Sequence, residues 1–172
     1  MKSKIIWLTG LSGSGKTTLS NYISKKLENK KFKVKKIDGD LFRKKNKTTE
    51  FNKSSIIKNN LSIINFVDKI KEKYHFIIIS VISPLKKTRQ KAKEIFGDQY
   101  YEVFVNCSIR GLIARDTKNL YKMAKIGKIK NLIGYNSKIN YEKTSYKKIT
   151  VHTHLETLKQ SSKKIIDRVC NE

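Results

Sequence analysis

Lys4-Ile-Ile-Trp-Leu-Thr9, then Gly10-Leu-Ser-Gly-Ser-Gly15-Lys16-Thr17, then Thr18-Leu-Ser-Asn-Tyr-Ile23: this stretch decides the fold. An apolar run of strand length enters a glycine-rich turn. Beyond the turn, Leu19, Ile23 and Leu27 recur at helical spacing. The turn has the form Gly-x4-Gly-Lys-Thr, and its context of strand before and helix after gives that pattern meaning. Its glycines let successive backbone N–H groups point inward. Together with the positive helix end, those groups cradle phosphate oxygens. Gly10, Ser12, Gly13, Ser14, Gly15, Lys16, Thr17 and Thr18 are therefore expected to hold ATP. Lys16 neutralises the β- and γ-phosphates, and the Thr17 hydroxyl is placed to ligate Mg²⁺.

Outward from this motif the chain alternates between strand and helix patterns. Strands are expected over 4–9, 32–37, 75–81, 101–106 and 149–152. Helices are expected over 16–29, from a Ser54 or Ser55 cap to about residue 72, and over 86–96, 108–124 and 155–169. Residues 125–148 are basic and without period. The pattern predicts one α/β domain over 1–172 with a P-loop NTPase fold. A five-stranded parallel sheet is flanked by helices, and a lid spans about 110–148. The turns after the first three strands then share one sheet edge. Residues 10–17, residues 38–43 and Ser83 are expected to converge there.

Charge and composition narrow the class. The formal net charge is +25 over 172 residues, yet only five of the 39 basic residues are arginine. Lysine is spread along the chain beside much Asn and Ile, as an AT-rich coding bias produces. Base and phosphate readers lean on arginine forks, so a nucleic-acid partner is not expected. A basic surface still favours the approach of anionic substrates. No run nears the roughly 20 apolar residues of a membrane span, and the N-terminus enters a strand with no leader. Cys107 and Cys170 fit reduced thiols. The expectation is a cytoplasmic protein. His152 and His154 lack the further ligands that a transition metal needs.

Asp38-Gly39-Asp40 follows the second strand. Two carboxylates facing a triphosphate are costly unless a cation or a hydroxyl partners them. One is suited to orienting or deprotonating an attacking hydroxyl, and the other to holding Mg²⁺ through water. Arg43, one turn on, is placed to grip an anionic group. Arg115 and Lys118, near the lid, are placed to stabilise the transferring phosphoryl group. No Asn-Lys-x-Asp guanine reader is present, and the chain is short for most ATPase machinery. A small-molecule kinase is the expected class. A catalytically silent, basic nucleotide- or nucleic-acid-binding module is the alternative, and the set Lys16, Thr17 and Asp38 argues against it.

These segments resemble the adenylylsulfate kinase family. The resemblance runs through residues 6–18, Asp38-Gly-Asp40 with Arg43, Phe51, Asn59 and Ile82-Ser83-Pro84. It continues through Glu102-Val-Phe-Val105, Arg115-Asp-x-Lys118-x-Leu-Tyr121-x-x-Ala124 and Tyr141-Glu142. It implies phosphorylation of the 3′-hydroxyl of a nucleotide with an activated 5′ group, and a homodimer. Lys16, Asp38, Asp40 and Lys118 would be catalytic, with Thr17 and Asp38 at the Mg²⁺ and Arg115 at ATP. Asp38, Arg43, Phe51, Asn59, Ser83, Lys118 and Tyr141 would bind the acceptor, with Phe51 against its base. The sequence departs from the family pattern at the acceptor: Ser55-Ile56 stands where the family has Asp-Arg, and residues 137–142 are two longer and lack proline. The resemblance is therefore greatest to a divergent member, the cytidine diphosphoramidate kinase of bacterial capsule biosynthesis. Adenylylsulfate remains the alternative acceptor. The alternative is that Ile56 faces the helix's buried side while Lys53 or Lys58 takes over its contact.

Overall fold

Residues Lys4–Thr9 form β1, the central strand of a five-stranded sheet, all of whose pairings are parallel, in a computed structural model that describes residues 2–45, 52–144, 146 and 148–171. The other strands are β2 (Val34–Asp38), β3 (Phe76–Val81), β4 (Tyr100–Asn106) and β5 (Ile149–His152), in the order β2-β3-β1-β4-β5. The helices are α1 (Lys16–Asn29), α2 (Gly39–Lys45), α3 (Lys53–Ile70), α4 (Lys86–Phe96), α5 (Ile109–Arg115), α6 (Leu120–Lys125) and α7 (Leu158–Asn171). The architecture is the α/β fold read from the alternation, with a helix on each crossover.

Period-two alternation along β1 divides the core. Ile5 and Trp7 pack with Ile77 and Ile79 of β3, Ile63, Ile64 and Val67 of α3, and Ala92 and Phe96 of α4. On the other face Ile6 and Leu8 join Leu19, Ile23 and Leu27 of α1 and Ile165 and Val169 of α7. Side chains buried on both faces explain why β1 and β3 are continuous apolar runs. Each contributes about 1.5–3 kcal/mol when fully buried. Among the described residues no helix is long and apolar enough to cross a membrane.

Local chemistry moved several expected boundaries. The helix expected over 108–124 is two helices, α5 and α6. Asp116 accepts the backbone N–H groups of Tyr121 (3.1 Å) and Lys122 (2.8 Å), and Asn119 takes a left-handed φ of 54°. Short polar side chains compete for backbone groups in this way and break helices. The cap of α3 is Asn52, whose side chain accepts from Ser55 N at 2.8 Å, so Ser55 supplies the donor and not the cap. Strand β2 starts at Val34, while Phe32 sits edge-on to the Phe76 ring at 5.1 Å. Helix α7 starts at Leu158 and not at Leu155. Thr157 and Gln160 close a reciprocal capping box there, with bonds of 2.8 and 3.2 Å.

Gly39 links β2 to α2 where α2 crosses the end of β3. A Cβ there would lie 2.6 Å from Val81 Cγ2 and 3.2 Å from Ser80 O. Gly39→Ala is therefore expected to destabilise the protein by about 1–3 kcal/mol through overpacking, read from urea or thermal unfolding. Val81→Ala in the same background should recover part of that loss. Equal stability of Gly39→Ala and the parent would refute this account.

Candidate active site

The glycine-rich turn follows β1 at the carboxyl edge of the sheet, beside the strand where the order reverses. Gly15, at φ 94°, caps α1 in a left-handed conformation that glycine adopts at little cost. Two outside hydroxyls hold the turn in place. Tyr121 Oη of α6 donates to Ser12 O at 2.9 Å, and Thr153 Oγ1, after β5, donates to Ser14 O at 2.9 Å. Lys16 Nζ donates to the carbonyls of Gly10 (2.9 Å) and Leu11 (2.7 Å). Burial is the main reason its pKa falls to about 8; Asp40 opposes the shift, Lys118 adds to it, and Asp38 opposes it.

Asp38 ends β2 and uses both carboxylate oxygens. Oδ2 accepts from Thr17 Oγ1 at 3.1 Å, and Oδ1 accepts from Asp40 N (2.9 Å) and Leu41 N (3.2 Å) at the start of α2. The hydroxyl and carboxylate are hard oxygen donors on the phosphate side of the turn. They suit Mg²⁺, which is typically held by one or two protein oxygens plus substrate phosphates. Asp40 Oδ2 receives Lys118 Nζ at 2.6 Å, so the break between α5 and α6 brings this lysine onto the β2 edge. Arg43 of α2 is buried, and burial lowers its pKa while Asp40 opposes that shift.

Two cavities meet at this point. One, about 460 Å³, is lined by the glycine-rich turn, Lys16, Thr17, Thr18, Arg115, Thr153 and Glu156. The other, about 1140 Å³, is lined by Leu41, Arg43, Lys44 and residues after α6 that include Lys128, Lys130 and Ile133. Ser12, Thr17, Asp38, Asp40, Ile82 and Lys118 line both and so form a shared wall. Arg115 faces the first cavity while bonding Thr153 O and, at 3.1 Å, Thr153 Oγ1.

The other residues expected at the acceptor stand elsewhere, and Phe51 lies outside the described residues. Asn59, Ser83 and Tyr141 line neither cavity. Asn59 is buried on α3, with neither amide atom hydrogen-bonded among the described residues. Ser83 is fully buried, its Oγ 3.1 Å from Thr88 Oγ1. Tyr141 Oη donates to Thr9 Oγ1 at 3.1 Å. Ile56 is 1% exposed and packs with Leu85 and Ile133, so it takes the buried face of α3. Lys53 and Lys58 are exposed and line neither cavity.

Sequence reading missed several members of the site. Thr153 follows a strand end on the same sheet edge as the others, and the edge rule alone was enough to find it. Lys128 and Lys130 lie in a segment without period, where no local pattern marks them.

The family model described as adenylylsulphate kinase matches residues 2–152. The adenylyl-sulfate kinase of Halothermothrix orenii is 34% identical over 168 residues, covering 96% of this chain and 89% of its own. The probable adenylyl-sulfate kinase of Synechocystis sp. is 37% identical over 162 residues, covering 93% and 89%. In fold, the chain superimposes on the Mycobacterium tuberculosis APS kinase solved with AMPPNP and APS with a TM-score of 0.90, at 24% identity and 99% coverage of both chains. With the matched family model and relatives above 30% identity along nearly the whole chain, the protein belongs to the adenylylsulphate kinase family.

Proposed function

We propose that the chain transfers the γ-phosphoryl group of Mg·ATP to the 3′-hydroxyl of a nucleotide with an activated, anionic 5′ group. Adenylylsulfate is the acceptor that the family membership supports. The observation that carries the reading is the wall shared by the two cavities, with Asp38 and Lys118 in it. A triphosphate seated on the glycine-rich turn then has its terminal phosphorus toward that wall, and an acceptor in the larger cavity approaches from the other side.

The chemistry follows from these residues. The Asp38 carboxylate orients the 3′-hydroxyl and takes its proton as the oxygen attacks phosphorus; the bond to the ADP oxygen breaks, and ADP leaves. Lys16, Lys118 and Arg115 supply positive charge where negative charge spreads over the phosphoryl oxygens. Thr17 and Asp38 would hold Mg²⁺, which when bound neutralises phosphate charge. Arg43, Lys44, Lys128 and Lys130 surround the acceptor's anionic end.

A second acceptor, cytidine diphosphoramidate, is favoured by one observation. Position 56 carries a buried isoleucine where the family pattern has an acceptor-gripping arginine, and the cations of the larger cavity come from α2 and the lid instead. ADP release with each nucleotide under identical conditions decides between them. A kcat/KM at least tenfold higher for adenylylsulfate upholds the first reading, and the reverse upholds the second. No turnover with either nucleotide would overturn both.

Asp38→Asn keeps the side-chain oxygen that caps α2 but lacks a proton acceptor. It should lower kcat by about 10²–10⁴-fold with ATP binding retained. An unchanged kcat would remove Asp38 from the chemistry.

Lys16 gives a proton-linkage test. Its ammonium has a pKa of about 8 in the free protein, and a bound triphosphate raises it. ATP binding above pH 8 should therefore take up a proton, and affinity should fall as pH rises through 8. Calorimetry at pH 8.5 in buffers of different ionisation enthalpy should detect the uptake, and Lys16→Ala should abolish it. The same uptake in Lys16→Ala would place the titrating group elsewhere.

A further inference from the structure

We propose that Arg89 and Tyr141 are positioning residues that pin the C-terminal end of the acceptor-cavity roof to the root of the phosphate-binding turn. This rests on the reading of the larger cavity as the acceptor site. Arg89, on α4, is fully buried and spends its guanidinium on several parts of the chain. It ion-pairs with the buried Glu102 of β4, with Nε 3.3 Å from Oε1. It donates to Ser83 O and to Glu142 O. Its guanidinium carbon also lies 4.7 Å from the centre of the Tyr141 ring.

Tyr141 extends the chain of contacts to the turn. Its ring packs against Phe104 at 4.8 Å, and its hydroxyl donates to Thr9 Oγ1 at 3.1 Å. Thr9 immediately precedes Gly10, and its own hydroxyl donates to Ser83 O at 3.3 Å. The following residues are fixed as firmly. Glu142 N donates to Pro84 O at 2.8 Å, and Glu142 Oε2 accepts Lys86 N at 2.6 Å at the head of α4. Thr144 Oγ1 (3.1 Å) and Tyr146 Oη (2.5 Å) both donate to the Glu102 carboxylate.

The consequence concerns the roof. Residues 128–133, which line the larger cavity and bury Leu132 and Ile133 in the core, lie between two anchors, one on the phosphate-binding turn and one on Thr9 at its root. The N-terminal anchor is Tyr121 on Ser12 O, and the C-terminal anchor is Tyr141 on Thr9. A buried Arg–Glu pair contributes little net stability over an apolar pair, but losing one partner strands a charge. Such a pair is well suited to fixing where a segment sits. Loosening the second anchor should therefore disturb the acceptor side while leaving the donor cavity, which residues 128–133 do not line, in place.

Tyr141→Phe tests this without stranding a charge, because the ring stays over Arg89 while the bond to Thr9 is lost. The expected result is an acceptor KM raised about 5–10-fold, the worth of one buried hydrogen bond, with ATP affinity within twofold of the parent. Amide exchange in residues 126–140 should quicken about tenfold while β1 and β3 stay protected. Arg89→Lys keeps a charge beside Glu102 but lacks the fork to two carbonyls, and should show the same split. Acceptor and ATP affinities falling together, or unchanged exchange in 126–140, would overturn the proposal. Should the parent protein turn over neither acceptor, the reaction assignment fails by itself, and the exchange experiment alone decides whether the pin exists.

Discussion

The Asp38 carboxylate joins the two halves of the site. One oxygen takes the Thr17 hydroxyl from the first turn of α1, and the other takes the opening amides of α2. Hydrogen bonds to a charged acceptor contribute about 1.5–3 kcal/mol each. The β2 edge is therefore held against the phosphate-binding turn at a defined spacing. The same geometry requires a residue with no side chain at position 39, since α2 crosses Val81 too closely for a Cβ. Thr17, Asp38 and Asp40 keep their arrangement because backbone and side chain are committed together.

Around that junction the electrostatics are divided. On the side of the phosphate-binding turn, burial lowers the Lys16 pKa to about 8, and a bound triphosphate favours its charged form. Toward the larger cavity, Arg43, Lys44, Lys128 and Lys130 line the wall, while Asp40 is engaged by Lys118. The Lys118–Asp40 pair is half-exposed and contributes little to stability. Its importance is positional, since it draws the break between α5 and α6 to the place where the two cavities meet. The net charge of +25 adds a general attraction for anionic substrates on top of this local pattern.

The turn between β1 and α1 was legible because its residues are contiguous. Residues 10–18 carry a local motif whose backbone geometry, once between a strand and a helix, leaves few options. Asp38 and Asp40 were legible through the rule that turns after parallel strands share one edge. The larger cavity was not. Its wall combines Leu41, Arg43, Lys44, Ile82 and residues 128–133, and the last of these segments has no period to announce its place. Tyr141 shows the same limit: its position in a familiar motif suggested contact with the acceptor, whereas its hydroxyl lies on Thr9 and its ring over Arg89.

The amino-acid sequence by itself determined the parallel sheet, the phosphate-binding turn and the carboxylate that faces it. Those features follow from local periodicity, from glycine's conformational range and from the handedness of crossovers, all of which act over short stretches. Only the tertiary structure decided which cations surround the larger cavity, that Ile56 turns inward beneath Ile133, and that Arg89 and Glu102 meet inside the protein. These depend on contacts between residues tens of positions apart. Packing density and the cost of a buried unpaired charge select such contacts, and neither can be read from spacing along the chain.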